Sequence, residues 1–179
     1  MSWYHTHMIA FTLLIGVLQS IFISLGVGSS TLAIINFFAA IADGTIDETE
    51  RRMMGIVYVV LRVAMVGILL TVLYSLTELY LASGLTAMTS LLWAQCAVLV
   101  VLYGNAILMT KRLMPSTFGP GIQAGSWYTL GIMAALALQG VTQYSILQFS
   151  LGYIAMLVLA VSMVNGTMAY LKFRKQPVA

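Results

Sequence analysis

The feature that most constrains this chain is an uncharged run of 35 residues, Met8 to Ala42, whose centre reads Leu25-Gly26-Val27-Gly28-Ser29-Ser30-Thr31. As one straight helix the run would measure about 52 Å at a rise of about 1.5 Å per residue. The hydrocarbon core of a bilayer is about 30 Å thick. A membrane crossing is therefore expected, with the segment tilted, projecting beyond the bilayer, or broken near its Gly/Ser centre. The residues before it, Met1 to His7, contain no Lys or Arg, so it reads as a retained span and not as a signal peptide.

The rest of the chain has the same character. Charged residues make up 7% of the 179 and hydrophobic ones 61%, whereas a soluble domain carries about 25% charge. So little charge cannot cover a water-facing surface. The expected fold class is an all-α polytopic integral membrane protein, a bundle of five transmembrane helices in a single domain over 1–179. The spans are placed near 8–42, 53–82, 88–110, 122–142 and 145–170. The net charge of +3 does not point to nucleic acid, because the basic residues sit at segment ends and form no stripe. The single cysteine, Cys96, lies in an apolar run and reads as a small buried hydrophobe.

Orientation follows from the basic residues. Arg51, Arg52, Lys111, Arg112, Lys172, Arg174 and Lys175 all fall on one side of an alternating five-span arrangement. The positive-inside rule assigns that side to the cytoplasm, with the N-terminus outside and the C-terminus inside, in a cell inner (plasma) membrane. Aromatic rings are expected at the interfaces: Trp3, Tyr4, Tyr80, Trp93 and Tyr144 outside, Trp127, Tyr128, Tyr170 and Phe173 inside.

The connections carry their own signals. Gly44 suits a helix stop, and either Thr45 with Glu48 or Asp47 with Glu50 fits a capping box for the second span. From Leu113 to Gly125 the chain holds Pro115, Gly119, Pro120, Gly121 and Gly125, so this stretch is expected not to be continuous helix.

Two polar patterns are candidates for function. Gly16, Ser20, Ser24 and Gly28 recur every four residues and share one helix face. Such small faces let backbones approach closely in lipid, which fits either packing within the chain or docking of a partner helix. Arg62 is the one charge well inside a span, about ten residues past Arg52. The groups expected at its depth are neutral: Asn36, Asn105 and Asn165, each six or seven residues before an inner boundary, with Ser29 and Ser30. Together they would form an inner polar layer able to bind an anion or a polar solute. The alternative is plain interhelical hydrogen bonding, with Arg62 snorkelling to the inner headgroups. An outer polar set comprises Gln19, Glu78, Gln95, Gln139 and Gln143.

Other chemistry has little support. His5 and His7 lack a third ligand, so no metal site is expected. No His lies inside a span, which argues against a bis-His haem, and no cofactor is expected. The string from Asp43 to Glu50 resembles the second half of a calcium loop, but Ala39 and Ile41 would stand at its first ligand positions. Asn165-Gly166-Thr167 fits a glycosylation pattern inside an expected span. No nucleophile–base arrangement, phosphate loop or paired intramembrane carboxylates are visible, so no enzyme activity is expected.

The Leu25-Gly26-Val27-Gly28-Ser29-Ser30-Thr31 string, followed by Asp43-Gly44-Thr45-Ile46 and an acidic helix start, resembles a set of small bacterial polytopic membrane proteins. The likeness covers roughly residues 8–75. Those proteins have no assigned activity, so the resemblance implies a membrane fold and no functional residue. Two functions are expected from the residues themselves. One is a small channel or transporter, working as a homo-oligomer, with its site around Arg62. The other is a structural or accessory subunit that contacts membrane lipid and docks another membrane subunit through the small-residue face.

Overall fold

A computed structural model of the chain describes residues 2–43, 47–84, 88–115 and 117–174; the side chains of 2–9, 41–43 and 172 are outside the description. The architecture is all-α, with five helices in chain order: α1 (Ser2–Asp43), α2 (Glu48–Ser83), α3 (Ser90–Thr110), α4 (Gly119–Leu138) and α5 (Ile146–Arg174). Four of them, α1, α2, α3 and α5, are long and apolar enough to cross a membrane.

The first helix is unbroken. Its 42 residues amount to about 63 Å, roughly twice a hydrocarbon core. The Gly/Ser centre does not interrupt it, and two of its three hydroxyls turn back onto the helix. Ser29 Oγ donates to Leu25 O at 2.6 Å and Thr31 Oγ1 to Val27 O at 2.7 Å. The helix also takes in the backbone of His5 and His7.

The helix ends show which local signals hold. Asp47 caps α2: its Oδ1 accepts from the Glu50 amide at 2.6 Å, while its own amide donates to Glu50 Oε2 at 3.1 Å. The stop expected at Gly44 and the alternative pair beginning at Thr45 lie outside the described residues. At the far end of α3, Arg112 has φ 57°. Its amide donates to Met109 O and the next one, of Leu113, to Leu108 O. This is a Schellman stop with Arg where glycine is usual. Helix α4 ends the same way with Gly140 at φ 78°, its amide donating to Ala137 O and that of Val141 to Leu136 O.

The region from Leu113 to Gly125 is only partly irregular. Helix α4 already begins at Gly119, with Pro120 in its first turn, where a missing amide hydrogen costs nothing. Gly121 and Gly125 are therefore helical and serve packing. A Cβ at Gly121 would lie 2.7 Å from the Val161 Cα, and one at Gly125 would lie 3.2 Å from the Ala160 Cβ. Close approach of α4 to α5 at these glycines replaces the expected loop.

Half of the residues of α4 are buried, among them Trp127 at 0% exposure, and α1, α3 and α5 pack around it. This corrects the placement of Trp127 at an interface: its ring sits in the bundle centre against Gly26 of α1. Tyr80, Tyr170 and Phe173 are exposed, as end-of-span aromatics would be. Hydrogen bonds tie the helices across the core. Gln19 Nε2 donates to Gln95 Oε1 at 3.1 Å, Thr31 Oγ1 and the Tyr128 hydroxyl are 2.7 Å apart, and Ser126 Oγ and the Tyr153 hydroxyl are 2.8 Å apart.

Candidate functional site

A cavity of about 610 Å³ lies between α1, α2 and α3 and is closed at one end by the start of α4. Its walls come from one regular stripe per helix. On α1 they are Ser30, Ala33, Ile34 and Phe37; on α2, Tyr58, Leu61, Arg62 and Met65; on α3, Tyr103, Ala106, Ile107, Met109 and Thr110. Each set contains the spacing i, i+3, i+4, i+7, which is one face of an α-helix, and Met109 widens that face on α3. Lys111, Pro120 and Gln123 complete the end of the cavity beside the α3–α4 connection.

The electrostatics have one sign. Arg62 and Lys111 are the only charged side chains among the described residues of the wall. Arg62 makes no hydrogen bond or ion pair with another described residue. Most of the remaining surface is aliphatic or aromatic, with hydroxyls from Ser30, Tyr58, Tyr103 and Thr110 and the amide of Gln123. Two of these hydroxyls are committed elsewhere: Tyr103 donates to Met65 O, and Thr110 Oγ1 donates to Ala106 O at 2.8 Å. Two helix ends also meet here. The amino end of α4 has no side-chain cap and adds partial positive charge, while Lys111 offsets the negative carboxyl end of α3.

The structure brings together only part of the expected polar layer. Arg62 and Ser30 share the cavity. Ser29 is buried and bonded to its own helix. Asn105 is 3% exposed and serves as a strut: its Nδ2 donates to Gly119 O at 2.9 Å and to Gln123 Oε1 at 3.1 Å, joining α3 to α4. Its Oδ1 is buried without a partner among the described residues. Asn36 and Asn165 are half-buried, and neither lines the cavity. The reason is angular. Asn36 and Asn105 lie off the i, i+3, i+4, i+7 stripes of their helices, and α5, which carries Asn165, packs on α4 and α1 away from the cavity.

Gln123, Lys111, Tyr58 and Tyr103 complete the site and were not read from the sequence as part of it. The periodicity around Arg62 holds a usable signal, since Tyr58, Leu61 and Met65 are its neighbours on one helical face. Gln123 lies in the Leu113–Gly125 stretch expected not to be continuous helix, which gave it no helical face to be read on.

The small-residue face is placed differently again. Gly16, Ser20, Ser24 and Gly28 are exposed, and a Cβ at Gly16 or Gly28 would have nothing within 4 Å. The hydroxyls of Ser20 and Ser24 bond back to Gly16 O and Ser20 O at 3.0 and 2.9 Å. Within the chain α1 packs instead through Phe22, which fills the space beside Gly67 of α2, and through Gly26, which receives Trp127 of α4.

No protein-family model, no curated protein and no solved structure matches this chain. The functional assignment rests on the geometry of the cavity.

Proposed function

We propose that this is a five-span protein of the bacterial plasma membrane, N-terminus outside and C-terminus in the cytoplasm, that binds an anionic solute in the cavity around Arg62 as the recognition step of a small transporter or channel. The observation that carries this reading is the sign of the wall: both of its charged side chains are cations and most of the rest is apolar. An arginine at membrane depth costs about 2.5–3.5 kcal/mol on insertion scales. That cost is recovered when the guanidinium meets an anion in a low-dielectric site. In this orientation the cavity opens in the cytoplasmic half, where the α1–α2 and α3–α4 connections lie. Helix α4, enclosed by α1, α3 and α5, serves as the fifth span.

The test is flux through proteoliposomes, followed for chloride and for inorganic phosphate, with wild type and Arg62→Ala compared at matched protein density. At least a tenfold slower flux of one anion is expected for Arg62→Ala. Equal flux from the two proteins removes Arg62 from the site. Wild-type flux no faster than that of protein-free vesicles contradicts transport of either ion.

A second reading is supported by the exposed stripe Gly16, Ser20, Ser24 and Gly28, of which Gly16, Ser20 and Ser24 line a shallow groove that also includes Leu138. In that reading the stripe is a contact between membrane subunits, most simply two copies of this chain.

A further inference from the structure

We infer that the occupant of the cavity is a membrane phospholipid with an anionic headgroup, its phosphate held between Arg62 and Lys111 and an acyl chain laid along the apolar walls. This deepens the anion-site reading and rests on it. Three observations point to a lipid over a small water-soluble ion.

The first is access. Tyr58 of α2 and Ile107 of α3 line the cavity and are 49% and 54% exposed. The cavity therefore opens sideways between these two helices. Direct contact between α2 and α3 is sparse compared with the close packing of α1 on α2 and of α4 on α5. Both helices are long and apolar enough to cross a membrane, so a gap between them faces the acyl chains. A small ion gains nothing from such a door, whereas a lipid moves through it without leaving its solvent.

The second is the lining. Phe37, Leu61, Ala106 and Ile107 present hydrocarbon to the space. A site for a hydrated inorganic anion would surround it with donors, as phosphate sites built on backbone amides do. Here the two charged donors, Arg62 and Lys111, stand in a lining that is mostly hydrocarbon, and the hydroxyls of Tyr103 and Thr110 are already bonded within the protein, which suits an amphiphile. The volume, about 610 Å³, falls within the range of about 300–1,000 Å³ usual for organic ligands.

The third is the position of the charges. Lys111 stands at the carboxyl end of α3, beside the α3–α4 connection, and Arg62 lies further along its own helix. Arg62 is exposed as well as on the cavity wall. A guanidinium at the mouth of a lipid-facing gap, with no acid among the described residues of the wall, needs an anion that the bilayer itself can deliver.

The experiment is native mass spectrometry of the full chain in detergent, titrated separately with phosphatidylglycerol, with phosphatidylcholine of the same chains, and with palmitate. Equilibrium dialysis against inorganic phosphate runs in parallel. One phosphatidylglycerol per chain is expected to be retained by wild type and by Arg62→Lys. Its affinity should fall at least tenfold in Arg62→Gln and, independently of charge, in Ala106→Trp, which fills the cavity. Phosphatidylcholine should bind at least tenfold more weakly. Equal retention of the two phospholipids, or no loss in Arg62→Gln, overturns the proposal. Palmitate retained with the same Arg62 dependence, while phosphatidylglycerol is not, overturns the phospholipid and leaves a carboxylate amphiphile. Arg62-dependent phosphate binding without lipid retention overturns the proposal and leaves the anion-site reading standing. The absence of any Arg62-dependent ligand ends both.

Discussion

The ring of Trp127 occupies the space that a side chain at Gly26 would need: a Cβ built there would lie 2.2 Å from two ring carbons of the indole. The indole is 0% exposed and belongs to the core cluster, so it has no free direction in which to move. Two residues further along the same helix, a Cβ at Gly28 would meet nothing within 4 Å. The two glycines therefore have opposite roles. Gly26→Ala is expected to destabilise the bundle by about 1–3 kcal/mol through overpacking. Gly28→Ala is expected to be neutral, or stabilising by up to about 1 kcal/mol through helix propensity. Thermal denaturation of both variants in one detergent checks the pair, and a Gly26→Ala protein as stable as wild type contradicts the contact.

Two helices end in the same Schellman geometry with different residues in the left-handed position, Arg112 after α3 and Gly140 after α4. A left-handed conformation costs an L-residue with a side chain about 1–2 kcal/mol. Arg112→Gly is thus expected to raise stability by about 1 kcal/mol, and Gly140→Ala to lower it by about the same amount. Opposite shifts in melting temperature confirm the assignment. A lower melting temperature for Arg112→Gly means that the Arg112 side chain contributes more than its backbone costs.

Asn105 links α3 to α4 through Gly119 O and Gln123 Oε1. Interhelical hydrogen bonds in membranes are worth about 0.6 kcal/mol on average and up to about 1.7. Asn105→Ala is therefore expected to cost about 1–2 kcal/mol. Combining it with Gln123→Ala should cost less than the sum of the two single changes, because the two amides share a bond. Strict additivity in that cycle would contradict the coupling.

Much of the fold was legible because its signals are local. The uncharged run of α1, the Asp47–Glu50 cap and the five apolar segments are set by composition and by neighbours a few residues apart. What escaped depends on angle and neighbourhood. Gly121 and Gly125 look like loop residues in the sequence, yet they are helix-contact residues, because close packing on Val161 and Ala160 needs the same missing side chain as a turn does. Trp127 looks like an interface anchor until Gly26 supplies a socket for it. The candidate site divides the same way. Arg62 stood out by its cost in a membrane, and Ser30 lies on its cavity. Asn36, Asn105 and Asn165 were expected at the depth of Arg62, yet none of them lines its cavity, because position along the chain does not say which way a helix is turned.

The stripe Gly16, Ser20, Ser24 and Gly28 supports a separate expectation. It is exposed, and its hydroxyls are satisfied within α1. The double change Ser20→Leu with Ser24→Leu should therefore leave the melting temperature of the isolated chain within a few degrees of wild type. If the stripe is a contact between copies, the same change abolishes the dimer seen by cross-linking in vesicles. An unchanged cross-linking pattern removes the stripe from assembly.

The central claim is that the cavity between α1, α2 and α3 holds an anion on Arg62. The most direct measurement is the affinity of the purified protein for its anionic ligand, phosphatidylglycerol or inorganic phosphate, in wild type, Arg62→Lys and Arg62→Gln. Wild type and Arg62→Lys are expected to bind with similar affinity and Arg62→Gln at least tenfold more weakly. The same affinity in all three, with the fold intact, would contradict it.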